Sequence, residues 1–462
     1  MTTQPTPTSS RPGLFRRERA LSLHPARLRS AQTAMAGLIL FVSLAGPALR
    51  IIFGLVGWAI ITAVTAVAAI LWAIRWRDRL RLAWISRPLM LFTLIAALST
   101  IWALVPAATA LGTALLVITI AVAVPLATLI PWSSFLTALD HATRWILGLS
   151  LVFELWVSLF IQHPITGPVS GIEWDAATGL ELWSRNLLFA GGPIQGILGN
   201  SILLCTVAAL AIITLSLRLA DHAVSESRGK VWLGIAIVML ILSRSSAVLI
   251  ALGAVLVLAA IALLHRRYRR PGQRWTLWLT VWALVAAVIA AVVFAREQVL
   301  ALLGKSSDLT GRFEIWQTVI ELGQERPAAG LGWLGFWPQW TEPFNDLVVR
   351  WNVVQLQAHN AWIDLWMQLG WIGVIVFALM IGFTLVRAWA TAAEPVRAGL
   401  DARQPWRAVS LMPLLLLTLL LVQSLTESAM LYEWGLLLLC TLAIRLTARP
   451  LERDQDLAGA SH

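Results

Sequence analysis

The stretch His359-Asn360-Ala361-Trp362-Ile363-Asp364-Leu365-Trp366-Met367-Gln368-Leu369-Gly370 leaves a long polar loop and continues as Trp371-Ile372-Gly373-Val374 into uninterrupted hydrocarbon. At ~100° per residue, the eleven steps from 359 to 370 come to about three turns plus roughly 20°, so His359 and Gly370 are expected on one face of one helix. His359 then sits at the water boundary of a membrane helix. Three turns deeper, Gly370 is expected to leave room for a second helix to approach closely.

The rest of the chain has the same character. Of its 462 residues, 58% are hydrophobic and 13% charged, with a mean hydropathy of +0.77. Soluble domains run near ~25% charged, so the composition is that of an integral membrane protein. Apolar runs of ~17–25 residues place about 12 transmembrane helices, near 34–49, 52–74, 88–104, 109–130, 145–161, 191–217, 231–242, 247–264, 275–294, 361–386, 408–424 and 429–444. The fold expected is all-α and polytopic, with a membrane domain at 34–444 and a large extracytoplasmic loop at 295–358. A basic cytoplasmic tail at 1–33 precedes it, and a cytoplasmic tail at 445–462 follows. The polar 1–33 stretch is too long for an ordinary signal-peptide n-region, so the first span is read as retained.

The net charge of +11 would suggest a nucleic-acid partner in a soluble protein. Its distribution says otherwise. With both termini in the cytoplasm, only Arg50, Arg185, Arg244, Arg296, Lys305, Arg312, Arg326 and Arg350 of the 35 Lys and Arg residues face outside. That asymmetry follows the positive-inside rule and marks topology, not nucleic-acid binding. Cys205 and Cys440 both lie in apolar spans, which leaves no disulfide framework and no metal-ligand spacing. Zinc-protease, phosphate-loop, dinucleotide and serine-elbow motifs are all missing from the sequence, so no metal and no cofactor is expected.

Two outside loops carry the polar mass, one at about 162–190 and the longer at about 295–358. In the second, Asp308 or Thr310 can cap a helix whose apolar face is Ile315, Trp316, Val319 and Ile320, and which Pro327 and Gly330 end. Arg312 falls in its first turn, where the helix dipole disfavours a cation unless an anion binds there too. Arg244, in Ser243-Arg244-Ser245-Ser246, interrupts an apolar run. It is read either as a snorkelling residue in a tight outside turn or as a phosphate ligand. His359 is either a polar helix start or a general base near neutral pH. Asp364, five residues on, lies on another face and is not expected to orient the ring.

Trp333, Trp337, Trp340 and Trp351 are read as either an interfacial belt or sugar-stacking residues. Asn360, Glu427 and Tyr432 are pocket candidates. Gly191-Gly192-Pro193 and Gly199-Asn200 suggest a broken helix start near the first loop, with Arg185 just before it as a third candidate phosphate ligand.

At these residues the chain resembles the superfamily of O-antigen ligases and O-antigen or exopolysaccharide polymerases. The likeness rests on His359-Asn360, nine residues, Gly370, two more and Gly373, and on the Ser-Arg-Ser turn at 243–245. It also rests on an Arg-x-x-x-Leu element in which Arg312 supplies the arginine but Trp316 stands where leucine is expected. The resemblance implies a glycan donor on undecaprenyl diphosphate, transferred without a metal to a glycan or lipid acceptor at the outer face of the cytoplasmic (inner) membrane. Arg244 and Arg312 would hold the diphosphate and His359 would deprotonate the acceptor, with inversion at the anomeric carbon. A flippase for lipid-linked glycans and a membrane glycosyltransferase of the peptidoglycan-polymerising kind are the alternatives.

Overall fold

In lipid every backbone N–H and C=O must be paired within the chain, which leaves a chain of this composition little choice but helices. The computed structural model describes residues 25–80, 85–177, 179, 181–268, 270–294, 312–350, 353–393 and 407–447. Its helices are α1 (Pro25–Leu44), α2 (Gly46–Arg75), α3 (Arg87–Leu98), α4 (Pro106–Thr128), α5 (Trp132–Trp156), α6 (Ser201–Ala220), α7 (Glu226–Ser243), α8 (Ser246–Arg267), α9 (Pro271–Phe294), α10 (Arg312–Gly323), α11 (Ala361–Ala393), α12 (Met412–Gln423) and α13 (Glu433–Thr447). Two short hairpins decorate the loops: Ile165–Thr166 pairs antiparallel with Leu182–Ser184, and Val349–Arg350 with Val353–Val354. The protein is an all-α polytopic membrane protein.

Among the described residues, six helices are long and apolar enough to cross a membrane: α2, α4, α5 with its π-helical extension to Ile161, α6, α8 and α11. Proline in the first turn starts α2, α3, α4 and α12, where its missing N–H costs nothing. On α2, Phe53, Val56, Ile60, Val64 and Leu71 are exposed, an apolar face suited to lipid tails. By contrast α12 is surrounded on all sides, packed by α6, α8, α11 and α13, and its leucines from Leu414 to Leu420 are buried. A helix apolar all round belongs at such a centre.

Several boundaries depart from the sequence reading. The first two spans are separated at Ala45, not near residue 50, because Gly46-Pro47 starts a new helix; α2 is itself broken at Gly54, whose φ is 72°. Helix α1 begins at Pro25, inside the expected 1–33 tail, and α13 runs on to Thr447. The span read as 145–161 starts at Trp132. The one read as 191–217 starts only at Ser201, where the Asn200 side chain accepts from Leu203 N at 3.0 Å. Residues 191–199 are instead loop and a short 3-10 turn, the interrupted start that the glycines suggested. Asp308, Thr310, Arg296, Lys305 and Trp351 lie outside the described residues.

The largest correction concerns the segment that opened the sequence reading. Helix α11 begins at Ala361, so His359 is not on it; the histidine precedes it in a left-handed conformation with φ of 50°. Gly370 is not helical either: at φ 60° and ψ −166° it breaks α11 in mid-course. What approaches there is loop backbone, not another helix. Leu331 and Gly332 donate to the carbonyls of Met367 and Gln368 (3.0 and 2.8 Å), and Trp371 and Ile372 donate to those of Pro327 and Ala328 (3.0 and 3.2 Å). The loop thus replaces the hydrogen bonds that the break removes. Any Cβ at Gly370 would overlap the Ala328 carbonyl. Interrupted backbone at membrane depth is tolerated only under such cover.

Candidate active site

Three of the residues that the sequence marked, Arg312, His359 and Glu427, meet where α10, the loop before α11 and the turn after α12 converge. α10 starts at Arg312, buries Ile315, Val319 and Gly323, and packs along α11. It ends at Gly323, earlier than Pro327 and Gly330 suggested; Gly330 instead lets the chain pass the Gln368 carbonyl.

His359 is held from three sides. Its Nδ1 lies 3.1 Å from Oε2 of Glu427, and its Nε2 lies 3.3 Å from Oε1 of Gln355. Trp316 on α10 donates its indole N–H to the carbonyl of Ala358 at 2.9 Å, and the Ala358 N–H donates to Asp364 Oδ2 at 3.2 Å. On the other side, Asn360 caps α11: its Oδ1 accepts from Trp362 N and Ile363 N at 3.0 and 3.2 Å, and its amide donates to Leu425 O. A left-handed histidine between two such anchored neighbours is backbone strain stored at a functional position. Asp364 does not touch the ring, as its spacing implied, yet it fixes the residue before it. Tryptophan at 316 makes a bond that the leucine of the related pattern has no donor for.

Glu427 is the hub. Arg312 Nη2 donates to its Oε1 at 2.9 Å, while His359 and Gln357 (3.5 Å) meet its Oε2. The side chains of Arg312, Glu427 and His359 are 18%, 16% and 24% exposed, so the cluster is sheltered but open to a ligand. The anion expected beside Arg312 in the first turn of α10 is therefore present as a carboxylate of the protein itself. Gln357 is locked in turn, since its Oε1 accepts from Tyr432 Oη at 2.6 Å and from Ser428 N at 3.1 Å. Next to Tyr432, Glu433 pairs with Arg50, whose guanidinium lies 4.7 Å above the Trp58 ring.

Arg244 sits in the tight turn between α7 and α8, left-handed with φ of 49° and exposed. Its backbone N–H donates to the Ile241 carbonyl at 3.3 Å, but among the described residues its guanidinium has no hydrogen bond or ion pair. Gly191 lies so close to it that a Cβ would come within 3.1 Å of its Nη2. Arg185 is placed differently. It donates to the Gly179 carbonyl at 2.8 Å, its Nε is buried without a partner, and no hydrogen bond joins it to Arg244, Arg312 or His359 among the described residues.

Two of the tryptophans offered for sugar stacking cannot serve. Trp333 and Trp337 are 1% and 0% exposed. Trp333 packs edge-on against Phe92 and donates to the Gly112 carbonyl, and Trp337 donates to Asp364 Oδ1 at 3.0 Å. They are core, and neither an interfacial belt nor a sugar platform. Trp340 remains exposed.

Sequence reading missed Gln355, Gln357 and the part played by Trp316. The signal for the glutamines was present: Gln355, Gln357 and His359 alternate as an extended segment does, which puts three polar side chains on one side of the chain.

Comparison with known proteins bears directly on this cluster. A family model described as O-antigen ligase matches residues 231–378, a segment that contains Arg244, Arg312, Trp316, His359, Gly370 and Gly373. The exopolysaccharide production protein ExoQ of Rhizobium meliloti (strain 1021) is 28% identical over 120 residues, covering 24% of this chain and 27% of the relative. The match thus spans about a quarter of that protein's length. Both likenesses agree with the resemblance to the O-antigen ligase and polymerase superfamily, the family model over residues 231–378 of this membrane protein.

Proposed function

We propose that this chain, with its O-antigen ligase segment at 231–378, transfers or polymerises an undecaprenyl-diphosphate-linked glycan onto an acceptor hydroxyl at the outer face of the cytoplasmic membrane. The observation that carries the reading is the His359–Glu427–Arg312 cluster. Both nitrogens of His359 face acceptor oxygens, an arrangement suited to holding the imidazolium. When one proton leaves, the carboxylate is the stronger acceptor and keeps the hydrogen on Nδ1, so Nε2 becomes the base.

In this mechanism the acceptor oxygen attacks the anomeric carbon while Nε2 takes the hydroxyl proton. The carbon–oxygen bond to the diphosphate breaks on the opposite face, which inverts the centre. The leaving group carries the electron pair away as an anion. Arg312 and Arg244 neutralise it; planar guanidinium groups match phosphate geometry and need no metal to do so. Among the described residues, the exposed Trp340 remains available to the glycan. The likeness to the exopolysaccharide production protein ExoQ favours an exopolysaccharide as the glycan.

The test is purified protein given lipid-linked repeat units and no other acceptor. A ladder of products marks a polymerase, whereas reaction only after a second acceptor is added marks a ligase. His359→Ala should lower transfer by about 10²–10⁴-fold while the lipid donor still binds and the protein stays folded. Full activity in that variant would sink the base. Movement of the lipid across a bilayer with the glycan never altered would sink the enzyme.

A further inference from the structure

We propose that Glu427 is an exchangeable counterion: Arg312 leaves it for the diphosphate of the donor, and its charge then passes wholly to His359, so that donor binding itself arms the base. This rests on the reading of Arg312 as diphosphate ligand and His359 as base, and it concerns how the two are coupled.

The geometry of one carboxylate shared by two partners carries the proposal. Oε1 of Glu427 is occupied by Arg312 at 2.9 Å and Oε2 faces His359 at 3.1 Å. The three side chains come from separate elements: the first residue of α10, the loop before α11, and the turn after α12. Arg312 can leave the carboxylate by rotating its own side chain, without moving the helix that Trp316 ties to Ala358. Arg312 meets the carboxylate through Nη2, and a guanidinium engaged in that way is only partly available to another anion. A diphosphate offers more negative charge and more acceptor oxygens than one carboxylate, so it should take Arg312 away.

Glu427 does not then lose its place, because Gln357 still donates to Oε2 at 3.5 Å and Gln357 is itself held by Tyr432 and Ser428. What it loses is its cation. An uncompensated carboxylate 3.1 Å from Nδ1 favours the imidazolium that forms as Nε2 takes the acceptor proton. The only bond changes are those of the transfer already described. Arg244 stands outside the exchange, since among the described residues its guanidinium has no partner to give up. Glu427 is therefore a positioning residue that links occupancy of the donor site to the strength of the base.

The exchange makes an unusual demand on a substitution at Glu427. Undecaprenyl diphosphate, alone, is titrated into full-length protein in lipid nanodiscs, with Glu427→Gln, Glu427→Ala, Arg312→Ala and the Arg312→Ala/Glu427→Gln pair beside the unsubstituted chain. Glu427→Gln should bind the lipid about five- to tenfold more tightly, because Arg312 no longer has a carboxylate to leave, and yet turn over at least about tenfold more slowly. Arg312→Ala should bind about tenfold more weakly, and in its background the gain from Glu427→Gln should vanish. Tightening that persists without Arg312 is lost charge repulsion alone and overturns the exchange, as does a folded Glu427 variant that binds no better than the original. If Arg312→Ala binds as well as the unsubstituted chain, the diphosphate role of Arg312 fails and the exchange with it. A structure of the unsubstituted protein with undecaprenyl diphosphate bound decides the matter without any variant. Arg312 should lie on the diphosphate and out of reach of Glu427; an intact Arg312–Glu427 pair beside bound lipid overturns the proposal.

Discussion

The two ends of the helix bundle use arginine in opposite ways. At the end away from His359, Arg218 donates to the Leu136 carbonyl and pairs with Asp140 at 3.0 Å, and Arg144 pairs with the same carboxylate. Arg445 donates to the carbonyls of Ala127 and Ile130, Arg387 to Leu446, and Arg266 to Ala392 and Ser410. Each is tied to a helix terminus or a buried acid, so the guanidinium groups there close off helix ends that would otherwise leave carbonyls unpaired. At the other end the Arg244 guanidinium has no partner among the described residues, and Arg312 makes one bond to a carboxylate that also serves a histidine. An arginine held by fixed acceptors is a structural brace, whereas Arg312 and Arg244 keep donors to spare, as the proposed diphosphate role needs.

That contrast can be broken by substitution at either end. At the braced end, Asp140→Ala removes a carboxylate that is 1% exposed and leaves two buried guanidinium groups facing each other. It should cost about 3–5 kcal/mol, read as a lower midpoint of thermal unfolding in detergent, with activity per folded molecule retained. At the open end Arg244→Ala should do the reverse. Losing one charged donor to the leaving group should lower turnover by about 10²–10³-fold, with the unfolding midpoint unmoved because no protein group loses a bond. A large loss of stability in Arg244→Ala would show that it braces the fold as well. The smallest effect should come from Trp316→Leu, which restores the residue of the related pattern but removes the bond to Ala358. About 0.5–1.5 kcal/mol of stability should go with that hydrogen bond, and turnover should fall severalfold as His359 loses one anchor, with donor affinity unchanged.

The sequence disclosed what depends on composition and on single residues. Hydrocarbon runs located the helices, and isolated charges in apolar surroundings pointed to Arg244, while a capping pattern and an apolar face pointed to the Arg312 helix. Long-range partnership was hidden. Glu427 lies 68 residues beyond His359, on the far side of α11 in the sequence, and no local spacing links the two. It was visible only as an acidic residue at the end of a hairpin. The break at Gly370 was hidden for another reason. Its sequence is that of an ordinary apolar helix, and only an account of where each backbone N–H and C=O goes reveals that segment 327–332 supplies the missing partners. Trp333 and Trp337 misled because a tryptophan in a polar loop looks like surface, and here the loop folds back on the bundle, so that Trp333 joins the main core and Trp337 a second, smaller one.

The filled break in α11 also bears on how the protein is made. Segment 361–393 cannot be released into lipid as a finished helix, because four of its backbone groups have partners only in residues 327–332. Those residues emerge from the ribosome first, so they must wait for the segment that completes them. Biogenesis of this chain therefore has a built-in order, and a cut or insertion between 332 and 361 should be felt as failed membrane integration before it is felt as lost catalysis.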